Sequence, residues 1–297
     1  MKDGKLICML REKNTNNMGT KTNMKTLRVL SLGAGVQSTA LALMIEKRQL
    51  PMVNSAIFAD TGGEPDEVYT HLEWLKKQLS YPVHVVKWGN LKKDIMRAST
   101  ENNHYFPAIP FFSLNEKTGN RGMLRRQCTY QYKIFPVEQK IRSLMGYKKG
   151  ERVDKKKWKV ELLIGISTDE MQRAKENKLK YVNNTYPLIE QGMTRGQCIE
   201  WYDKNKYPTP PRSSCTFCPY NSNKRWKQLK QDKVLWEELV DMDNHVRGIN
   251  LMNTRSDITD PVFLHSDRVP LTEIDFDKED DQLSFSFDDE CEGMCGV

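Results

Sequence analysis

Short apolar runs alternate with longer stretches of helical spacing along the first part of the chain. Residues 27–32, 52–59 and 83–88 are continuous, branched-apolar segments of the kind that form buried parallel strands. Between them, Leu41, Leu43, Met44 and Ile45 give 38–47 a helical period, and 66–79 reads the same way. Residues 161–166 predict a fourth strand, and 137–144 and 224–246 predict helices. Strands alternating with helices imply an α/β fold, a Rossmann-like parallel sheet with helices on both faces. The stretch 91–123 reads as loop, a candidate lid, because Pro107, Pro110 and Gly122 break any long element. Pro208, Pro210 and Pro211 mark a rigid connection. The expected organisation is a disordered extension over 1–25, a main domain over 26–188, a smaller cysteine-bearing helical region over 189–274 and an acidic tail over 275–297. No internal repeat is visible.

At 38% hydrophobic and 29% charged residues, the composition is that of a folding chain. No apolar run approaches the ~20 residues that cross a bilayer, and the N-terminus lacks the order of a secretion signal, so no membrane partner and a cytoplasmic location are expected. In that compartment the 7 cysteines read as metal ligands or reactive thiols rather than disulfides. The net charge of +7 is uneven: 140–159 is strongly basic and 274–292 strongly acidic, so the two segments are expected to attract. The basic run reads equally as a solvated loop or as a surface for a phosphate-rich partner such as nucleic acid.

Three segments carry candidate chemistry. Ser31-Leu32-Gly33-Ala34-Gly35-Val36-Gln37-Ser38-Thr39 lies between a predicted strand and a predicted helix, where backbone N–H groups and a helix dipole meet an anion. Gly33 and Gly35 are expected to supply unusual backbone angles and close approach, and Ser31, Ser38 and Thr39 hydroxyl donors. The turn is neither a Walker loop nor a dinucleotide fingerprint. Asp60-Thr61-Gly62 ends the second predicted strand, where a carboxylate meets a ligand at the sheet's rim or simply caps the next turn. Gly165-Ile166-Ser167-Thr168-Asp169-Glu170-Met171-Gln172-Arg173 follows the fourth, with Asp169 and Glu170 read either as site residues or as ordinary first-turn acids.

These segments together resemble the PP-loop ATP pyrophosphatases (adenine nucleotide alpha-hydrolase-like superfamily), in the phosphoadenosine phosphosulfate reductase-like branch. Ser31, Gly33 and Ser38 match the Ser-Gly-Gly-x-Asp-Ser turn or its Ser-x-Gly variant, with Gln37 where the acid would stand. Asp60, Thr61 and Gly62 match the reductase-type end of the second strand. Residues 165–173 match Gly-Ile-Arg-x-Glu/Asp-Glu-Ser-x-x-Arg, with Ser167 replacing the first Arg and Arg173 able to take its phosphate contact. The segment 265–271, His265 to Leu271, is similar to one in phage-type relatives. The resemblance implies an adenine-nucleotide site built from Ser31, Gly33, Gly35, Gln37, Ser38, Thr39, Asp60, Thr61, Gly62, Lys133, Gly165, Asp169, Glu170 and Arg173.

Arg126-Gln127-Cys128-Thr129-Tyr130-Gln131-Tyr132-Lys133-Ile134-Phe135-Pro136 resembles the Cys-Cys-x-x-x-Lys-x-x-Pro segment of iron–sulfur reductases in this family, with Thr129 in place of the second Cys. Cys215-Thr216-Phe217-Cys218 matches their distant Cys-x-x-Cys. The implied ligands of an iron–sulfur cluster are Cys128, Cys215 and Cys218, with Cys198 as the favoured fourth and Cys291 or Cys295 as alternatives. Zinc suits the same donors. Glu290-Cys291 is reminiscent of the C-terminal thiol of sulfonucleotide reductases, so Cys291 and Cys295 are the expected catalytic thiols. Docking of the acidic tail on Lys155, Lys156 and Lys157 is expected to bring them into play; incidental cysteines at a loose end are the other reading.

The implied activity is ATP-dependent adenylation or sulfur transfer on a nucleic acid or nucleotide, with ATP and Mg2+ as cofactors. The alternatives are reduction of phosphoadenosine phosphosulfate with release of sulfite, and a non-catalytic nucleotide-sensing or nucleic-acid-binding module. A sulfur-donor or thiol-reductant protein is an implied partner.

Overall fold

The computed structural model describes residues 24–97, 109–248 and 260–278. Five strands, β1 (Lys25–Leu32), β2 (Ser55–Ala59), β3 (Val83–Val86), β6 (Trp158–Ile164) and β7 (Val182–Thr185), make one sheet in the order β3-β2-β1-β6-β7. Every neighbouring pair is parallel, with Leu30 between Ala56 and Leu163 at the centre. Both faces of β1 and β2 are buried, which is why these strands read as unbroken apolar runs. This is the α/β architecture expected. The strand order reverses direction at β1, so a crevice opens at the carboxyl ends of β1 and β6.

Helices α1 (Val36–Glu46), α2 (Asp66–Gln78) and α3 (Leu91–Arg97) follow the first three strands, and α4 (Phe135–Leu144) precedes β6. All residues of α1 from Val36 to Ile45 are buried, so this helix is enclosed on every side. The chain beyond Leu188 first packs back onto it. Helix α5 (Arg195–Asn205), started by a Thr194/Gln197 capping box, places Cys198, Trp201 and Tyr202 in the core that holds Leu30, Leu41 and Leu43.

A second core gathers Leu91 and Ile95 of α3 with Trp226, Leu239, Met242 and Val246 from α6 (Asn223–Leu229) and α7 (Lys233–Arg247). It is edged by a small antiparallel sheet, β4 (Phe112–Leu114) between β5 (Arg121–Met123) and β8 (Val262–Phe263). The stretch expected as loop thus contains a helix and two short strands; its centre, 98–108, lies outside the described residues. Ile274 and Phe276 are buried in the same core, so the chain stays anchored past the expected start of the tail.

The 265–271 segment is used structurally. His265 Nε2 lies 2.7 Å from Asn223 Oδ1, and Arg268 Nε donates to the Ser113 carbonyl at 2.9 Å while its guanidinium stacks over Phe112. Among the described residues no helix is long and apolar enough to cross a membrane.

Candidate functional site

The carboxyl ends of β1, β2, β3 and β6 bring the sequence motifs together. After β1 the chain turns through Gly33, Ala34 and Gly35 into α1. The left-handed residue is Ala34, with φ 59°, whereas Gly35 is extended at φ −94° and ψ −171°. The expectation that Gly33 and Gly35 supply the unusual angles is therefore corrected. An alanine has the smallest side chain that can take this conformation, at a cost of ~1–2 kcal/mol, and hydrogen bonds hold it there. Ser38 Oγ accepts from the Gly33 N–H at 3.2 Å, and the Thr39 N–H donates to the Gly35 carbonyl at 3.0 Å.

Thr39 is a second correction. Its hydroxyl lies 3.1 Å from His71 Nε2 on α2, both side chains buried, so it is engaged away from a ligand at the turn. Burial lowers the His71 pKa to about 4 and keeps the ring neutral.

Asp60 organises the turn after β2. Its Oδ1 accepts from the Gly62 N–H and the Tyr69 hydroxyl, both at 2.8 Å, and its Oδ2 is 2.6 Å from Lys87 Nζ after β3. Burial alone would raise the Asp60 pKa; the Lys87 ammonium and these two donors outweigh it and hold the carboxyl below its usual range. Gly62 has φ 72°, and a Cβ there would strike the Asn90 side chain at 2.4 Å, so glycine is required. Gly63 is packed as closely, its Cβ position 2.7 Å from Phe217. The capping role is the one the carboxylate fills in this structure.

Across the crevice, a Cβ on Gly165 would stand 2.8 Å from the Ser38 backbone, so glycine lets the β6 end touch the turn. Gln37 Nε2 bridges the two, donating to Ser167 Oγ at 3.3 Å and to Glu170 Oε2 at 3.1 Å; Arg173 holds the same carboxylate oxygen at 2.6 Å. The buried Gln37 Oε1 has no hydrogen-bond partner among the described residues. Asp169 departs from expectation: both its oxygens accept from the Arg195 N–H at 3.2 Å, tying the motif to the first turn of α5.

Lys133 sits on a π-helical turn, Thr129–Ile134, that leads into α4. Its Nζ is 3.2 Å from Glu64 Oε1, with side chains only 6% and 1% exposed. Ser213, from the proline-rich connection, donates to the Gly33 carbonyl and lies 3.3 Å from Glu64 Oε2. Lys133 lines two neighbouring pockets. One is formed by Ser31, Gly33, Phe58, Ala59 and Glu64, the other by Thr61, Arg126, Cys128, Thr129, Cys215 and Cys218.

Three of the expected ligands, Cys128, Cys215 and Cys218, thus share a pocket, with Thr61 Oγ1 3.4 Å from Cys215 Sγ. Thr129, in the position of the family's second Cys, has a buried hydroxyl with no partner among the described residues. Cys198 does not join them; it lies in the other core, on α5. Among the described residues no three His, Cys, Asp or Glu side chains are drawn together as a metal-holding group. A closed four-thiolate cluster therefore does not fit the described donors, which number three thiols and a hydroxyl.

Cys291 and Cys295 lie outside the described residues. The basic segment that was to receive their tail is at the wrong end of the sheet. Lys157 bonds the N–H of Lys25 at the start of β1, and β1 separates that edge from the Gly33 turn by eight residues, roughly 25 Å at ~3.3 Å each. A tail docked on Lys155, Lys156 and Lys157 would hold its thiols at the amino edge, away from the crevice. Asp277 pairs instead with Lys227 on α6.

The sequence did not disclose Glu64, Ser213, Arg212 or Arg225. Arg212 and Arg225 are close enough for burial and then Arg212 to lower the Arg225 pKa, and the buried Nε of each lacks a partner among the described residues. Arg212 adjoins Ser213 in the chain, and it is Ser213 that contacts the turn, donating to the Gly33 carbonyl.

The chain matches no protein-family model and no curated protein. Among solved structures it is similar to the phosphoadenylyl-sulfate (PAPS) reductase from Candida auris, determined as a phosphate complex. The TM-score is 0.37 and the identity 13%, over 69% of this chain and 81% of that one. What the fold and the site themselves define is a Rossmann-like α/β protein whose Ser/Gly turn stands at the carboxyl edge of a parallel sheet.

Proposed function

We propose that this chain is a PP-loop enzyme similar to the phosphoadenosine phosphosulfate reductases. In this reading it binds an adenine nucleotide with its phosphates against the 33–38 turn and uses ATP for adenylation or sulfur transfer on a nucleic acid or nucleotide. The observation that carries the reading is Lys133, whose buried side chain lines both the turn pocket and the cysteine pocket. A cation at that junction joins an anion cradle to a set of thiols.

The chain's own groups suit the parts of such a reaction. Backbone N–H groups at the start of α1 meet phosphate oxygens, aided by the helix dipole. Lys133, which lines the turn pocket, offsets charge that builds as the acceptor oxygen bonds to the α-phosphorus and pyrophosphate leaves. Mg2+, when bound, would supply further charge neutralisation at the phosphates. Cys128, Cys215 and Cys218 line one pocket and are the candidate ligands of a metal, which would have to draw the three thiols together and take a further donor from elsewhere. Iron, sulfide and zinc analysis of anaerobically purified protein, with and without Cys215→Ser/Cys218→Ser, tests that assignment; full occupancy in the variant removes it.

The activity test is a product assay. Pyrophosphate release from ATP in the presence of an acceptor is the expected result. Sulfite release from phosphoadenosine phosphosulfate would make the chain a reductase instead, and nucleotide binding without either product would leave a sensing module.

A further inference from the structure

Two large aromatic side chains stand out of the surface beside the site. Trp88, two residues past the end of β3, is 47% exposed, and Tyr130, on the π-helical turn, is 46% exposed. Phe135 lies between them, its ring 4.9 Å from Trp88 at 90° and 6.4 Å from Tyr130 at 54°. Burying these rings would return a large hydrophobic gain, so their exposure needs an account.

Their placement gives one. Trp88 follows Lys87, the partner of Asp60, and Tyr130 follows Cys128 and Thr129 and precedes Lys133. Along the chain the rings thus adjoin residues of both regions, Lys87 beside Asp60 on one side and Cys128 and Thr129 of the cysteine pocket on the other. The chain segment leading to Tyr130 is cationic. From Ile109 to Cys128 the chain carries Lys117, Arg121, Arg125 and Arg126 against Glu116 alone. Arg126 lies over the Tyr220 ring at 5.5 Å, and Arg121 stands near another cation, Arg268. Among the described residues Arg121 and Arg125 form no ion pair.

We propose that Trp88, Tyr130 and Phe135 are a stacking ledge for unpaired bases of a single-stranded nucleic acid, whose phosphates are met by the 117–126 arginines and lysine. Exposed rings that follow a cationic segment suit a strand whose every residue offers a π-face and a charge. An apolar peptide would use the rings and leave the charges unmatched. The proposal rests on the reading above that the acceptor is a nucleic acid, and gives that acceptor a path to the site.

The test is fluorescence anisotropy of a labelled 12-nucleotide single strand, as DNA and as RNA, on the full chain and on Trp88→Ala, Tyr130→Ala and Trp88→Phe. Each alanine variant should bind the strand about 10-fold more weakly, the scale of one lost base–ring contact. Trp88→Phe should stay within about 3-fold, and a duplex of the same sequence should bind more weakly than the strand. Either sugar satisfies the proposal, and the tighter one identifies the source. Unchanged affinity in both alanine variants, equal affinity for duplex and single strand, or no binding of either strand by the full chain would overturn it. ATP affinity, measured calorimetrically on the same proteins, should not change; its absence in every protein would instead count against the nucleotide site itself.

Discussion

Lys133 Nζ lies 3.2 Å from Glu64 Oε1, a buried ion pair that ties the π-helical turn before α4 to the loop after β2. Removing one partner strands the other charge in a poorly hydrated place. Lys133→Met should therefore cost ~3–5 kcal/mol in urea unfolding, and Lys133→Met/Glu64→Met should recover much of that. Nucleotide binding should stay weak in both. Equal stability losses in the single and double variants would show that the pairing is incidental.

His71 predicts a pH dependence. Its folded pKa is about 4 and its ordinary value 6.5, so between these the unfolded chain binds the extra proton. Stability must then fall as pH drops from 6.5 toward about 4, by up to ~1.4 kcal/mol per pH unit from this group. His71→Gln can keep a hydrogen bond to Thr39 while removing the titration. Thermal unfolding across this range should show a shallower slope in the variant; identical slopes would mean that the ring is not held neutral.

Asp60 acts in the opposite range. A carboxyl held below its usual 3.8 contributes stability above that value and loses it as pH falls through the lower folded pKa. Asp60→Asn should be less stable than the parent at pH 7, and the gap should narrow below pH 3.8. A gap constant through that range would argue against the Lys87 and Gly62 contacts as its source.

Gly165→Ala inserts a methyl 2.8 Å from the Ser38 backbone. The β6 end or the turn must shift, at a cost of ~1–3 kcal/mol. Because the turn is the proposed cradle, nucleotide affinity should drop along with stability, and a folded variant with full affinity would separate the two.

The central strands were legible because burial on both faces writes an unbroken apolar run, as in β2. Edge strand β7 was not: Val-Asn-Asn-Thr offers one buried side chain and takes its hydrogen bonds from β6. Helix α3 was hidden by the prolines further along the same stretch. At the site, Gly62 and Gly165 were legible only as members of matched motifs; the close approaches that require them, to Asn90 and to the Ser38 backbone, appear in the structure. Side-chain direction was not readable, which is why Thr39 and Asp169 were placed at the ligand although one meets His71 and the other the Arg195 N–H. Glu64 and Ser213 meet across 149 positions, a pairing that no local pattern announces.

The most direct test of the nucleotide cradle is calorimetric titration of ATP into the parent chain and Gly35→Val. Gly35 is extended in this structure, a conformation open to valine, so the variant should fold while its branched side chain occupies space a phosphate would use. Binding to the parent and loss of at least about 10-fold in affinity in a folded Gly35→Val is the predicted result. Unchanged affinity in a folded variant, or no binding by the parent, would contradict it.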